Sequence, residues 1–238
     1  MPEKYNLSEV YPNSPLVEVV CEIRFSAELA IECRRNEFYD KIKKEYPAIL
    51  IPQSGSNSVN ALAPYRFENE DRTAGIMIAI DRFSFFDRDY GGHKRFITEF
   101  VRLAKILEET YPIKELKRLG WRYINIIPFS REDKIIPLHR FTSFELKLPE
   151  GISEKITNLS TVFISEVEEG TITTRIESIM RSDDQQEALL MDFDFALTER
   201  LFLTEIKKYV NKAHKQTREV FESLITDEYR EYLRGETI

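Results

Sequence analysis

The sequence predicts an α+β protein: antiparallel sheet, in one piece or two, covered on one face by long helices. Three observations predict it. Residues 17–25 alternate between apolar and polar, with Val20 the one exception, as a half-buried strand does. Further short runs of apolar and aromatic residues follow, separated by turn residues. Two long stretches instead place apolar residues every three or four positions, the spacing of one helix face.

The elements follow in order. Pro12 and Pro15 make the start an ordered, non-helical lead-in. Val17, Val19, Cys21, Ile23 and Phe25 then share one strand face, opposite Glu18, Val20, Glu22 and Arg24, so Cys21 reads as a small core residue. Phe38, Tyr39, Ile42 and Tyr46 predict a helix over 33–46, ended by Pro47. The polar stretch 52–60 is a loop, and strands follow at 63–69, 75–80 and 82–88, with a turn at Glu70-Asp71-Arg72. Gly91-Gly92 stops the last of these. A long helix comes next, with Phe96, Phe100, Leu103 and Leu107 on one face, running to Tyr111-Pro112. Residues 119–127 are again a strand. The remainder predicts strands at 141–148, 160–167, 171–179 and 187–195, with a short helix near 152–157 and a turn at Gly170. In a last long helix over 199–224, Ile206, Val210, Ala213, Thr217, Val220 and Leu224 form one stripe, suited to a core or to a self-association seam. A short helix at 227–234 closes the chain. Two similar β-α-β-β-β-α halves, 1–112 and 113–238, are therefore expected within one compact unit, although no residue-level repeat supports them.

Composition narrows the function. Apolar residues are 42% and charged residues 32%, which excludes disordered, collagen-like and membrane-embedded classes. No run approaches the roughly 18 apolar residues of a membrane span. The opening Met1-Pro2-Glu3-Lys4 lacks the layout of a signal peptide. Two cysteines without an export signal point to reduced thiols and a cytoplasmic location. The net charge of −7 argues against nucleic acid, whose binders are usually basic. Residues 150–199 hold 12 acids and 3 bases, a net −9, so the rest sums to +2. That region is a solubilising surface or a docking face for a basic partner.

Chemistry-bearing motifs are scarce. His93, His139 and His214 stand far apart in the chain, and no metal-ligand spacing, P-loop, G-x-G-x-x-G, G-x-S-x-G or C-x-x-C occurs. No metal or cofactor is expected, nor an ordinary hydrolase, kinase or dehydrogenase. The candidate binding residues are instead charged groups carried on strands. Glu18, Glu22 and Arg24 share a face that is either a solvated ladder or an ionic network. In Trp121-Arg122-Tyr123-Ile124-Asn125, Arg122 faces one way and Tyr123 and Asn125 the other, and each needs polar partners if buried. A carboxylate such as Glu22 or Asp192 would serve Arg122. Asp192 and Asp194 share a face opposite Met191, Phe193 and Phe195; it reads as the wet face of a sheet or as an acceptor pair for arginines. Phe83, Phe85, Phe86 and Tyr90 lie among Arg82, Arg88 and Lys94, but Asp81, Asp87 and Asp89 cancel that charge, so core packing is the expectation.

Three stretches carry a resemblance. Pro15 to Phe25, Gly120-Trp121-Arg122-Tyr123-Ile124-Asn125, and Met191 to Phe195 with Phe221 to Glu228 resemble, in order, the patterns of a sporadically distributed prokaryotic TIGR family of unknown function. Trp121 departs from the smaller aliphatic residue of that pattern. The resemblance implies a full-length unit and, through its patchy distribution, an accessory or defence-type gene. The expectation is a non-enzymatic interaction protein, the accessory, immunity or scaffold component of a small defence-like or toxin–antitoxin-like module. It would act as a homodimer or in a hetero-complex. The alternative is a nucleotide- or nucleic-acid-handling enzyme or sensor, with the strand-borne Arg/Asn/Asp cluster holding a divalent ion and phosphate.

Overall fold

The structure is a computed structural model, and it describes residues 5–51, 64–149 and 151–236; the polar loop expected at 52–60 lies outside them. The fold is α+β, and every strand pair whose register is described is antiparallel. Among the described residues no helix is long and apolar enough to cross a membrane. The chain divides into two units, each discontinuous in sequence.

The first unit comprises Glu18–Arg122 and Ala196–His214. It holds most of β1 (Leu16–Arg24), α1 (Ala30–Cys33), α2 (Arg35–Ile42), β2 (Ala48–Leu50), β3 (Tyr65–Glu68), β4 (Ala74–Ala79), β5 (Arg82–Asp87), α3 (His93–Thr110), β6 (Glu115–Leu116) and the start of β7 (Arg118–Pro128). Its strands are hydrogen-bonded in the order β2-β3-β4-β5-β1, with β7 beyond β1. The turn expected at 70–72 joins β3 to β4. Arg72 there takes a left-handed backbone, and the Asn69 side chain accepts from the Ala74 amide and donates to Thr73. The core is aromatic. Phe38 of α2 meets Phe67 and Phe83; Phe100 and Phe96 of α3 meet Phe83 and Phe85; Trp121 stands edge-on to Phe96. Cys21 is fully buried there, as its place on the apolar face predicts, and burial raises its thiol pKa well above the ordinary value.

The second unit comprises Met1–Val17, Tyr123–Phe195 and Lys215–Ile238. It contains α4 (Leu138–Phe141), a 3-10 turn at Ser153–Lys155, β8 (Ser160–Val167), β9 (Gly170–Met180) and most of β10 (Glu187–Leu197). β11 (Leu201–Phe202), a second 3-10 turn at Leu203–Glu205 and the start of α5 (Ile206–Leu224) fall in the first unit; the rest of α5 and α6 (Asp227–Leu233) fall in the second. The strand order here is β10-β9-β8, with the rest of β7 beside β10. Phe221 of α5 stands edge-on to Phe193 of β10, on the side of Met191 and Phe195.

Two expectations are corrected. Residues 141–148 are not a strand: Phe141 ends α4, and the chain then follows the α5–α6 junction. There Thr142 Oγ1 and the Ser143 amide both donate to the Leu224 carbonyl. The last long helix starts at Ile206, not 199, because Leu201 and Phe202 pair as β11 with Leu116 and Glu115 of β6. The stripe on α5 is core: Ile206, Val210, Ala213 and Thr217 are buried, and Val220 and Leu224 are half-buried.

Candidate functional site

The predicted residues divide between the units: Glu18, Glu22, Arg24 and Arg122 belong to the first, and Tyr123, Asn125, Asp192 and Asp194 to the second. In the first, strand alternation sets Glu18, Glu22 and Arg24 on the face opposite the aromatic core, where they form a half-exposed ladder of ion pairs. Glu18 binds Arg88 at 2.7 Å; Glu22 binds Arg24 at 2.7 Å and Arg118 at 3.2 Å. The ladder extends across β5 and β3. Phe86 points to this face, and the guanidinium groups of Arg66 and Arg88 lie 4.8 and 4.9 Å from its ring centre. Arg66 in turn pairs with the buried Glu68 at 2.6 Å. Phe83 and Phe85 are core, as expected; Phe86 is buried by arginines.

In β7 the alternation holds: Trp121, Tyr123 and Asn125 are buried, and Arg122 and Ile124 are half-buried. The Asn125 amide donates to the Met191 carbonyl of β10 at 3.0 Å, which makes it a strand-bridging group. Asp192 is only 5% exposed and Asp194 is half-buried, so the wet face expected for the pair is not wet at Asp192. Among the described residues no group of three or more His, Cys, Asp and Glu side chains is placed to hold a metal ion. His93 and His214, distant in sequence, stack in the first unit with ring centres 4.4 Å apart and planes within 9°.

Sequence reasoning missed two arrangements in the second unit. The first is a buried charge cluster. Glu222 of α5 accepts from the Tyr11 hydroxyl at 2.9 and 3.0 Å and from Arg230 Nε at 3.0 Å, and it ion-pairs with Arg218 at 2.8 Å. Burial, then the charge of Glu222, pushes the Tyr11 phenol up to about 12. Arg230 also donates to the Glu222 carbonyl and to Asp227. A glutamate and two arginines within one turn or two of a helix junction carry no signal until the chain folds.

The second arrangement is the edge formed by β8, the last strand of its sheet. Its residues alternate between exposed and half-buried, and the exposed positions include Val162 (52%) and Ile164 (69%). The strand contains no proline or lysine and one charge, Glu166. On the opposite face, Phe163 stacks against Phe144, centres 6.4 Å apart. Phe144 also lines an apolar recess of about 580 Å³ with Ile135, Leu146, Leu148, Ile156 and Leu159. The signal was present in the alternation of 160–167; its exposure was not.

No protein-family model matches the chain, and no curated protein matches it. The likeness of the three sequence stretches thus rests on those residues alone.

Proposed function

We propose that this chain is a non-enzymatic, cytoplasmic interaction component that joins another protein chain through the free edge of β8. The carrying observation is that edge: eight residues with two exposed β-branched aliphatics, no proline or lysine, and a single charge, Glu166, near one end. An edge strand offers a row of backbone donors and acceptors, and a partner strand satisfies them while its side chains fill alternate positions. The ion pairs around Glu18 and Glu22 support the same reading, because they satisfy those charges internally.

The accessory, immunity or scaffold role in a prokaryotic defence-like or toxin–antitoxin-like module is supported by the resemblance only. The reading of the chain as two β-α-β-β-β-α halves, each with its sheet covered on one face, gains support from the strand orders. They run β3-β4-β5-β1 in one half and β8-β9-β10-β7 in the other, and each half ends in a long helix, α3 or α5.

Native mass spectrometry of the protein gently purified from its host tests the proposal, comparing wild type with Ile164→Lys. The expected result is a stoichiometric protein partner that Ile164→Lys loses while keeping the wild-type melting temperature. A lone chain, or one carrying a nucleotide or metal and no protein, overturns it and returns the strand-borne Arg/Asn/Asp cluster to first place.

A further inference from the structure

We propose that the partner on β8 is a second copy of this chain, the two strands pairing antiparallel about Phe163; this rests on the reading of β8 as an interaction edge. The far end of the first unit's sheet shows how an edge is normally protected. There β2 is three residues long and follows Pro47, too short to template a partner. β8 is long enough to pair.

The sequence of β8 is complementary to itself in one register. In an antiparallel pair, residues opposite each other point to the same face. Self-pairing must therefore centre on Val162, Phe163 or Ile164 to bury the aliphatic face. Centred on Val162, it sets Ile164 opposite Ser160 and leaves Ser165, Glu166 and Val167 unpaired. Centred on Ile164, it sets Val162 opposite the carboxylate of Glu166. Centred on Phe163, it sets Val162 opposite Ile164 twice, Thr161 opposite Ser165 twice and Ser160 opposite Glu166 twice. Four aliphatic side chains then meet on one face. Glu166, the only charge of the strand, faces a serine, so no like charges are opposed. On the other face the two Phe163 rings meet at the axis, each backed by its own Phe144. A two-fold arrangement is what an isologous patch produces. A strand pair alone is smaller than the roughly 800 Å² per partner of a standard interface. The exposed Leu146 and the recess it shares with Phe144 supply apolar surface beside the strand. A basic heterologous strand would suit Glu166, Glu168 and Glu169 but would not use the neutral centre of the edge.

The test uses the full-length chain. Light scattering on the purified protein, over a wide concentration range, is expected to give twice the chain mass, and Ile164→Lys the monomer mass with an unchanged melting temperature. In a Cys33→Ser background, Phe163→Cys is expected to oxidise to a disulfide-linked dimer, because the axis brings residue 163 opposite itself at disulfide range. Ile164→Cys, opposite Val162, is expected to remain reduced. A monomeric wild type, a dimer that survives Ile164→Lys, or cross-linking at 164 without 163 overturns the proposal. If the pure chain is monomeric yet the host-purified chain holds a different protein that Ile164→Lys releases, the self-pairing fails and the edge reading stands. If nothing binds through β8 in either preparation, both fail.

Discussion

Glu222 is nearly inaccessible, yet it stays compatible with the interior because Tyr11, Arg218 and Arg230 surround it. Removing one partner of such a buried pair leaves uncompensated charge, at a cost of roughly 3–5 kcal/mol. Glu222→Ala is therefore expected to lower stability by about that much in urea unfolding, and Tyr11→Phe, which loses one hydrogen bond, by about 1 kcal/mol. Glu99 of α3 gives a pH-dependent counterpart. Burial acts to raise its pKa, but hydrogen bonds from Arg102 and Tyr46 outweigh it and hold the carboxyl below its ordinary 4.5. A folded pKa below the unfolded one adds stability above about pH 4.5, and that stability is lost as the pH falls through the folded value. Glu99→Gln is expected to flatten this acid limb, measured as melting temperature against pH. The thiols offer a further check. Cys33 is exposed and Cys21 buried, so a thiol reagent is expected to label one cysteine in the native protein and both after unfolding.

At the scale of elements, close packing decides what the pattern alone leaves open. β4 and β5 pair with Gly75 opposite Phe86, and a Cβ at Gly75 would lie 2.6 Å from the Phe67 carbonyl oxygen and 2.7 Å from the Phe86 ring. Gly75→Ala is thus expected to destabilise by roughly 1–3 kcal/mol through overpacking, read in thermal unfolding. The Phe86 ring lies against Gly75, and the guanidinium groups of Arg66 and Arg88 contact that ring. In α5 the stripe is consumed by the core, and Val210→Ala is expected to cost on the order of 1–3 kcal/mol with no effect on oligomeric state. That pairing of readouts separates α5 from β8, where Ile164→Lys is expected to do the reverse.

At the scale of the molecule, the segments around Arg131 and the chain ends show how distant stretches are tied together. Arg131 donates to Glu187 and to the carbonyls of Ile156 and Thr157, fixing the stretch that leads into β8. Asn13 binds the backbone of Tyr232 and Leu233, and Glu9 pairs with Arg234 at 2.9 Å. These anchors join the lead-in to α6 within the second unit. An edge strand held by such fixed neighbours is already ordered for pairing, so association loses less conformational entropy than it would from a loose strand.

The sequence by itself determined the fold class, the strands of four or more residues though not the short β2, β6 and β11, the two long amphipathic helices, and the faces on which Cys21, Glu22, Arg122 and Asp194 point. Each of these follows from a local period of two or 3.6 residues, which needs no knowledge of neighbours. It misread 141–148 as a strand and began the last helix too early at 199, because apolar content there is consumed by contacts with remote segments, Leu224 and β6. Only the tertiary structure decided that Asp192 is buried, that His93 meets His214, that Glu222 anchors a charge cluster, and that Val162 and Ile164 are left uncovered. Those properties depend on which chain segments meet across long sequence separations, and burial and pairing are set by that meeting, not by the pattern of any one segment.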